Sequence, residues 1–391
     1  MIDSARLRII HIARAPVGGV LRHIVDLSRA QAAAGHMVGL VCDSSTGGDL
    51  EDSAIADLAP ALALGSIRLP MPRSVSFGDL RSARRALDHI ASLAPDVIHC
   101  HGAKGGVYGR LIGGWLGRRR RIARIYAPHG GSLHYGERSL EGRFYFAVER
   151  ALEYLTDALV HVSAYEAETY RRKIGAPRCR AVVVRNGLRP DEFSPVATAA
   201  DAADLIFLGT FRDLKGIDVF LEAIAHLGRR GHCVSAQLIG HPDPSGRYET
   251  LAQTLGIADR VTFHPPMSAR AAFALGRVVV VPSRAESMPY VVLEAIAAGR
   301  PIIATAVGGI PEIFGPRAGE LVPAGDSEIL AQAIANTLAD PQRAMHDAAD
   351  RRAFIEPRFN VAVMQTEIER LYRDCLSTAV VEPASTALRR A

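Results

Sequence analysis

The feature that most constrains this chain is a unit that occurs twice. Leu7 to Ile12 is a short apolar run, Gly18-Gly19 reads as a loop, Val20 to Ala34 has a helical apolar period ended by Gly35, and Met37 to Cys42 is a second apolar run. That succession predicts strand, helix, strand. Farther along, Leu205 to Leu208 repeats the apolar run, a loop ends at Lys215-Gly216, and Ile217 to Leu227 repeats the helical period. Each opening is followed by more of the same. Strands are expected at Asp96 to Cys100, Ile122 to Tyr126, Ala158 to Val162 and Ala181 to Val184 in the first half, and at Ser235 to Ile239, Val261 to Phe263, Val278 to Val281 and Pro301 to Ala304 in the second. Strands alternating with helices predict parallel sheets covered by helices, so the fold class is α/β with two doubly wound sheets.

The chain has 391 residues, well beyond the roughly 100–150 of a single common domain. The Pro-, Asp-, Ala- and Thr-rich segment from Pro190 to Ala203 lacks either period and reads as the linker. The expected division is 1–195, 196–358, a helix over 359–376 crossing back to the first domain, and a loose tail over 377–391. Hydrophobic residues at 48% and charged residues at 22% exclude a disordered, collagenous or coiled-coil chain. Apolar runs such as Val278 to Val281 stop far short of the ~20 residues that cross a bilayer. The opening residues lack a secretory pattern. Five scattered cysteines never take a C-x-x-C spacing, which supports neither a disulfide framework nor a zinc site, and a cytoplasmic setting is expected.

A formal charge of +5 favours anionic partners. Arg118 to Arg121 form one basic cluster, and Arg81, Arg84 and Arg85 lie on a predicted helix from Leu80 to Leu93. The plain reading is a solvated face. The functional one is peripheral contact at the inner face of an anionic membrane, worth about 1 kcal/mol per basic residue near the surface. Nucleic acid is disfavoured, because no aromatic residues alternate with these arginines for base stacking. Only three of the 46 basic residues are lysines, Lys104, Lys173 and Lys215, so each attracts attention.

The stretch Pro282-Ser283-Arg284-Ala285-Glu286-Ser287-Met288-Pro289-Tyr290-Val291-Val292-Leu293-Glu294 follows a predicted strand. Pro289 suits a first helical turn, which would set the amides near Met288 and Tyr290 at the positive end of the helix, where phosphate binds. Glu286 then lies in the loop and Glu294 in the second turn. A straight helical spacing would put them roughly 12 Å apart, suited to two parts of one long ligand.

With Gly308-Gly309-Ile310-Pro311-Glu312 after it, this stretch closely resembles the glycosyltransferases of family 4. The resemblance extends over Gly18-Gly19 to His23, His99 to Gly109, Tyr126-Ala127-Pro128-His129-Gly130, Val162-Ser163, Asn186-Gly187 and Lys215-Gly216. It implies the GT-B fold, two facing Rossmann-like domains with a cleft between them. It further implies a retaining hexosyltransferase that moves sugar from a UDP- or GDP-sugar to a hydroxyl of a glycan or lipid-linked acceptor. A bacterial cell-surface polysaccharide or glycolipid is the expected product.

The resemblance carries roles to residues. Glu294 would hold the ribose hydroxyls and Glu286 the sugar hydroxyls, which suits carboxylates as acceptors. His129 would lie against the transferred sugar, and Gly18 and Gly19 would let the donor approach the backbone. Met288, Pro289, Tyr290 and Val291 complete the donor loop. Lys215 would meet the charge that grows on the departing diphosphate. The common pattern has an arginine where this chain has Thr210, so Arg212 is expected to supply that cation from two residues later. His99, His101 and Lys104 are expected to line the cleft on the acceptor side. His99 and His101 flank Cys100, but no further ligand is indicated, and no Asp-x-Asp occurs; no metal and no other cofactor is expected. The rival readings are an epimerase or hydrolase of the same fold acting on nucleotide sugars, and a non-catalytic nucleotide-sugar-binding protein.

Overall fold

Val278, Val279, Val280 and Val281 are all buried, as a run of branched residues must be when helices cover both faces of a sheet. The computed structural model, which describes residues 6–72 and 77–377, has two such sheets. The first contains β1 (Arg8–Ala13), β2 (Met37–Asp43), β3 (Ser66–Leu69), β4 (Val97–His101), β5 (Ala123–Ala127), β6 (Ala158–His161) and β7 (Arg180–Val183), in the order β3-β2-β1-β4-β5-β6-β7. The second contains β8 (Ala203–Leu208), β9 (Ala236–Ile239), β10 (Val261–His264), β11 (Gly276–Val281) and β12 (Ile302–Ala304), in the order β10-β9-β8-β11-β12. All pairings are parallel. The order reverses between β1 and β4 in one sheet and between β8 and β11 in the other, and ligands bind beyond the carboxyl ends of strands at such reversals.

One compact unit takes in the chain up to Val162, Glu166–Arg185 and the chain from Ala362 onward; the other takes in Ser163–Tyr165 and Asn186–Val361. The change of unit thus falls at Asn186, ahead of the Pro190 to Ala203 segment, and the helix Val361–Ser377 packs in the first unit. Residues 378–391 of the expected tail lie outside the described residues.

Alternation along β1 and β4 sorts the first core into two faces. Ile10, Ile12, Ile98 and Cys100 join one apolar cluster with Tyr108, Ile112 and Tyr126, while Ala13 joins another with Leu21, Ile24, Val38 and Leu40. His11, His99 and His101 therefore point away from Cys100. In the second unit β8, β9 and β11 bury one face against the helix Ile217–Arg229, through Leu205, Leu238 and Val280 against Val219, Phe220 and Ile224.

One sequence expectation is corrected here, and one strand has no counterpart in the sequence pattern. Gly18 and Gly19 do not precede the helix but open it, over Gly18–Ala33. β3 was not anticipated, because four residues on a sheet edge, only one of them buried, show no readable period. Among the described residues no helix is long and apolar enough to cross a membrane.

Candidate active site

In the first unit the side chains near the reversal are imidazoles. Register pairs His11 of β1 directly with His99 of β4, so both share a face with His101. The helix Gly18–Ala33 adds His23 and Gln31 over that face, and the helix Val361–Ser377 adds Tyr372. All six of these side chains are buried. His129 follows β5 and is partly buried.

These groups form one hydrogen-bonded chain. Tyr372 Oη lies 2.7 Å from His99 Nδ1 and accepts from Gln31 Nε2 at 3.2 Å. Gln31 Oε1 is 2.8 Å from His11 Nε2, His11 Nδ1 is 2.9 Å from His101 Nε2, and His101 Nδ1 is 3.0 Å from His129 Nε2. His23 stands edge-on to His129, ring centres 4.8 Å apart, and His99 lies 4.2 Å from His101. Burial lowers the imidazole of His11 to about 4 and those of His99, His101 and His129 well below the usual histidine value, and neighbouring histidines add to the effect. These four imidazoles are neutral at physiological pH. His129 also holds a left-handed backbone, φ 49°, which costs a residue other than glycine about 1–3 kcal/mol and persists only where the surroundings impose it.

In the second unit the reversal carries charge. Lys215 ends a short turn after β8, and Glu286 lies in the loop after β11. Lys215 Nζ meets Glu286 Oε1 at 2.6 Å, and Ser283 Oγ donates to the same oxygen at 2.7 Å. Two glycines permit this close packing of loops. Gly216, φ 68°, would place a Cβ 2.0 Å from the Pro282 carbonyl, and Gly308, φ 59°, would place one 1.7 Å from the Glu286 carbonyl. Further ties fix the loop: Asn186 Nδ2 donates to the Met288 carbonyl at 2.9 Å, the Gly309 amide to Ser287 at 2.9 Å, and the Arg284 amide to Leu214 at 2.8 Å. The Arg284 guanidinium grips Asp218 through two bonds of 2.7 and 2.6 Å. Burial would raise the Asp218 carboxyl, but Arg284 outweighs it and holds the group below its usual range.

The donor helix differs from the expectation by one residue. Pro289 is its N-cap, φ −74° and ψ 123°, and the helix runs Tyr290–Ala297. Proline has no N–H, so the amides at the positive end are those of Tyr290, Val291 and Val292. Glu286 to Pro289 are not helical, and the 12 Å helical spacing to Glu294 does not apply. Glu294 is the fifth helical residue and is half-buried. The Arg212 side chain is exposed and makes no hydrogen bond or ion pair with the described residues. Lys104 is not among the histidines: it meets Asp79 at 2.8 Å and donates to the Pro72 carbonyl, which ties its helix to the helix Phe77–Leu93. In the basic cluster Arg120 pairs with Asp96 and Arg121 with Asp157, while Arg119 lies over Trp115.

In the sequence His99, His101 and His129 stand out singly, with no sign of what joins them. His11, His23, Gln31 and Tyr372 were not singled out, and neither was the Lys215–Glu286 pair. The available signal was a histidine in the middle of each of two strands predicted to be core.

Known proteins match this chain throughout. A model of Glycosyltransferase Family 4 matches residues 17–192 and one of Glycosyl transferases group 1 matches residues 202–340. The D-inositol 3-phosphate glycosyltransferase of Xylanimonas cellulosilytica is 29% identical over 86% of this chain and 87% of its own length. The D-inositol 3-phosphate glycosyltransferase 2 of Catenulispora acidiphila is 31% identical over 83% of each. The crystal structure of Anabaena HepE in complex with UDP-glucose superposes with a TM-score of 0.78 at 18% identity, covering 94% of this chain and all of that one.

Proposed function

The chain belongs to glycosyltransferase family 4, and from that premise we propose a retaining, metal-independent transferase that moves a hexose from a nucleotide diphosphate sugar to an acceptor hydroxyl. The observation that carries this reading is the Lys215–Glu286–Ser283 group in the loops that lead to the N-terminus of the helix Tyr290–Ala297. A cation and helix amides suit a diphosphate leaving group, and a carboxylate suits sugar hydroxyls.

In this reading the acceptor hydroxyl attacks the anomeric carbon from the side of the departing diphosphate. The bond from that carbon to the phosphate oxygen breaks, the bond to the acceptor oxygen forms, and the acceptor proton passes to the leaving oxygen. No protein nucleophile is needed. Lys215 and the amides of Tyr290, Val291 and Val292 take up the growing charge, with exposed Arg212 as a further cation. Glu286 and His129 orient the sugar, and Glu294 holds the ribose. A UDP-sugar is the donor favoured, because the superposing Anabaena protein binds UDP-glucose. Two acceptor classes follow: a glycan or lipid-linked hydroxyl of a cell-surface product, and an inositol phosphate of the kind the relatives are named for. Arg118 and Arg119, beside half-exposed Trp115, are the groups that would touch an anionic membrane.

The test is a screen of UDP- and GDP-sugars in the presence of a chelator, first by thermal shift and then by nucleotide release with each acceptor class. Selective binding, acceptor-stimulated release and a product of unchanged anomeric configuration are expected, and Glu294→Ala should weaken donor binding at least about tenfold, or 1.4 kcal/mol. Release equal with and without acceptor would favour a hydrolase, and a folded protein that binds no donor would favour a non-catalytic module.

A further inference from the structure

The buried chain of the first unit has a direction, and the direction can be read from donor and acceptor chemistry. Gln31 Oε1 only accepts, so the proton between it and His11 belongs to His11 Nε2. A neutral imidazole carries one proton, which makes His11 Nδ1 an acceptor. The proton in the next bond is therefore on His101 Nε2, and His101 Nδ1 is the acceptor. By the same step His129 donates from Nε2. At the other end Tyr372 accepts from Gln31 Nε2 and so gives its own proton to His99 Nδ1. Turned over, the Gln31 amide would reverse every bond of the chain and leave His129 accepting at Nε2, so the orientation seen here, with Oε1 toward His11 and Nε2 toward Tyr372, is what sets the direction.

We propose that Gln31 and Tyr372 are positioning residues for sugar transfer: through His11 and His101 they fix the proton of His129 on Nε2 and leave its Nδ1 as a hydrogen-bond acceptor. The inference rests on the reading that His129 meets the sugar. His129 Nδ1 has no partner among the described residues, and an uncharged acceptor there selects a hydroxyl of the donor sugar over a carboxylate. It also gives the helix Val361–Ser377 a task, since Tyr372 reaches the first unit only because the chain returns to it.

The ring nitrogens of His11, His99 and His101 lie within 4.8 Å of one another, as do those of His23, His101 and His129. Yet the lone pairs of His11, His99 and His101 are all taken by hydrogen bonds from His101, Tyr372 and His129. The network is a hydrogen-bond relay, and a cation would have to break it to enter.

The experiment is nitrogen NMR of the full chain labelled at histidine, which reads the tautomer of each imidazole with no substrate present. The unaltered protein should show His11, His101 and His129 all protonated on Nε2. Gln31→Met removes the acceptor while keeping the volume; His129 should then populate both tautomers, and kcat should fall about fivefold, the worth of one neutral hydrogen bond, with a smaller change in donor KM. Tyr372→Phe should shift the same signals less, since it frees the amide without removing it. A proton on Nδ1 of His129 in the unaltered protein would overturn the relay, as would a His129 signal that ignores both substitutions. If Gln31→Met does not fold, the unaltered spectrum and Tyr372→Phe decide. A protein that transfers no sugar can still display the relay, and an active transferase with an indifferent His129 refutes this inference alone.

Discussion

The two units place different chemistry at the same point of the same topology. At the reversal of the first sheet, imidazoles are buried, hydrogen-bonded and neutral. At the reversal of the second, loops carry ion pairs that keep part of their surface in water, 21% of the Lys215 side chain and 36% of that of Arg284. Burial removes charge from histidine, so the first unit is left with direction as its resource: which atom donates and which accepts. The second unit keeps charge because its groups sit on loops. In the proposed reaction the departing diphosphate would draw on the charge of the second unit, while the sugar hydroxyls would be directed by neutral His129 as well as by Glu286.

The largest effect should come from removing the charge. Lys215→Met is expected to lower kcat by about 10²–10³, the usual loss when one electrostatic group is taken from a developing oxyanion. The fold should persist, since Gly216 and Gly308 rather than the lysine set the loop packing. Single-turnover sugar transfer checks this, and Lys215→Arg should recover part of the rate. Undiminished turnover in Lys215→Met would erase the electrostatic half of the comparison.

Acid should act on the other half. His11 is held at about 4 by burial, whereas it would titrate near 6.5 in the unfolded chain. Between those values the unfolded chain binds the proton that the native state refuses, so stability is full above about pH 6.5 and is lost as the pH falls toward 4. The shift corresponds to about 3 kcal/mol for His11 alone at 1.36 kcal/mol per unit. His99, His101 and His129 are shifted in the same direction. Urea midpoints at pH 7, 5.5 and 4.5, followed by probes in the first unit, should fall steadily. A flat profile over that range would mean that the cluster is not neutral.

How much of this was legible depended on whether the pattern was local. The alternation of strands and helices lies in short windows, so all eleven expected strands are legible without tertiary information; the twelfth, the edge strand Ser66–Leu69, with one buried residue, offers no such pattern. The loop Pro282 to Glu294 was legible as a motif, because its roles sit within thirteen consecutive residues. The histidine relay was not. His11, Gln31, His101, His129 and Tyr372 are brought together by sheet register and by a helix near the end of the chain. Nothing in the neighbourhood of Gln31 or Tyr372 in sequence separates them from other polar residues on amphipathic helices. The Lys215–Glu286 pair, 71 positions apart, escaped for the same reason.

The smallest effect tests the ties of the second unit. Arg284 holds the loop of Glu286 to Asp218 at the start of the helix Ile217–Arg229. Both side chains are about one-third exposed, and exposed pairs contribute less than about 1 kcal/mol. Arg284→Gln should therefore lower stability by less than that and weaken donor binding by no more than about fivefold, as Glu286 gains freedom. The gap from the unaltered protein should narrow as salt rises toward 1 M, where the screening length is only about 3 Å. The Gln31→Met effect should not respond to salt, because it redirects a neutral hydrogen bond inside the core. Equal salt response in both variants would mean that the two units do not divide charge from direction as their geometry indicates.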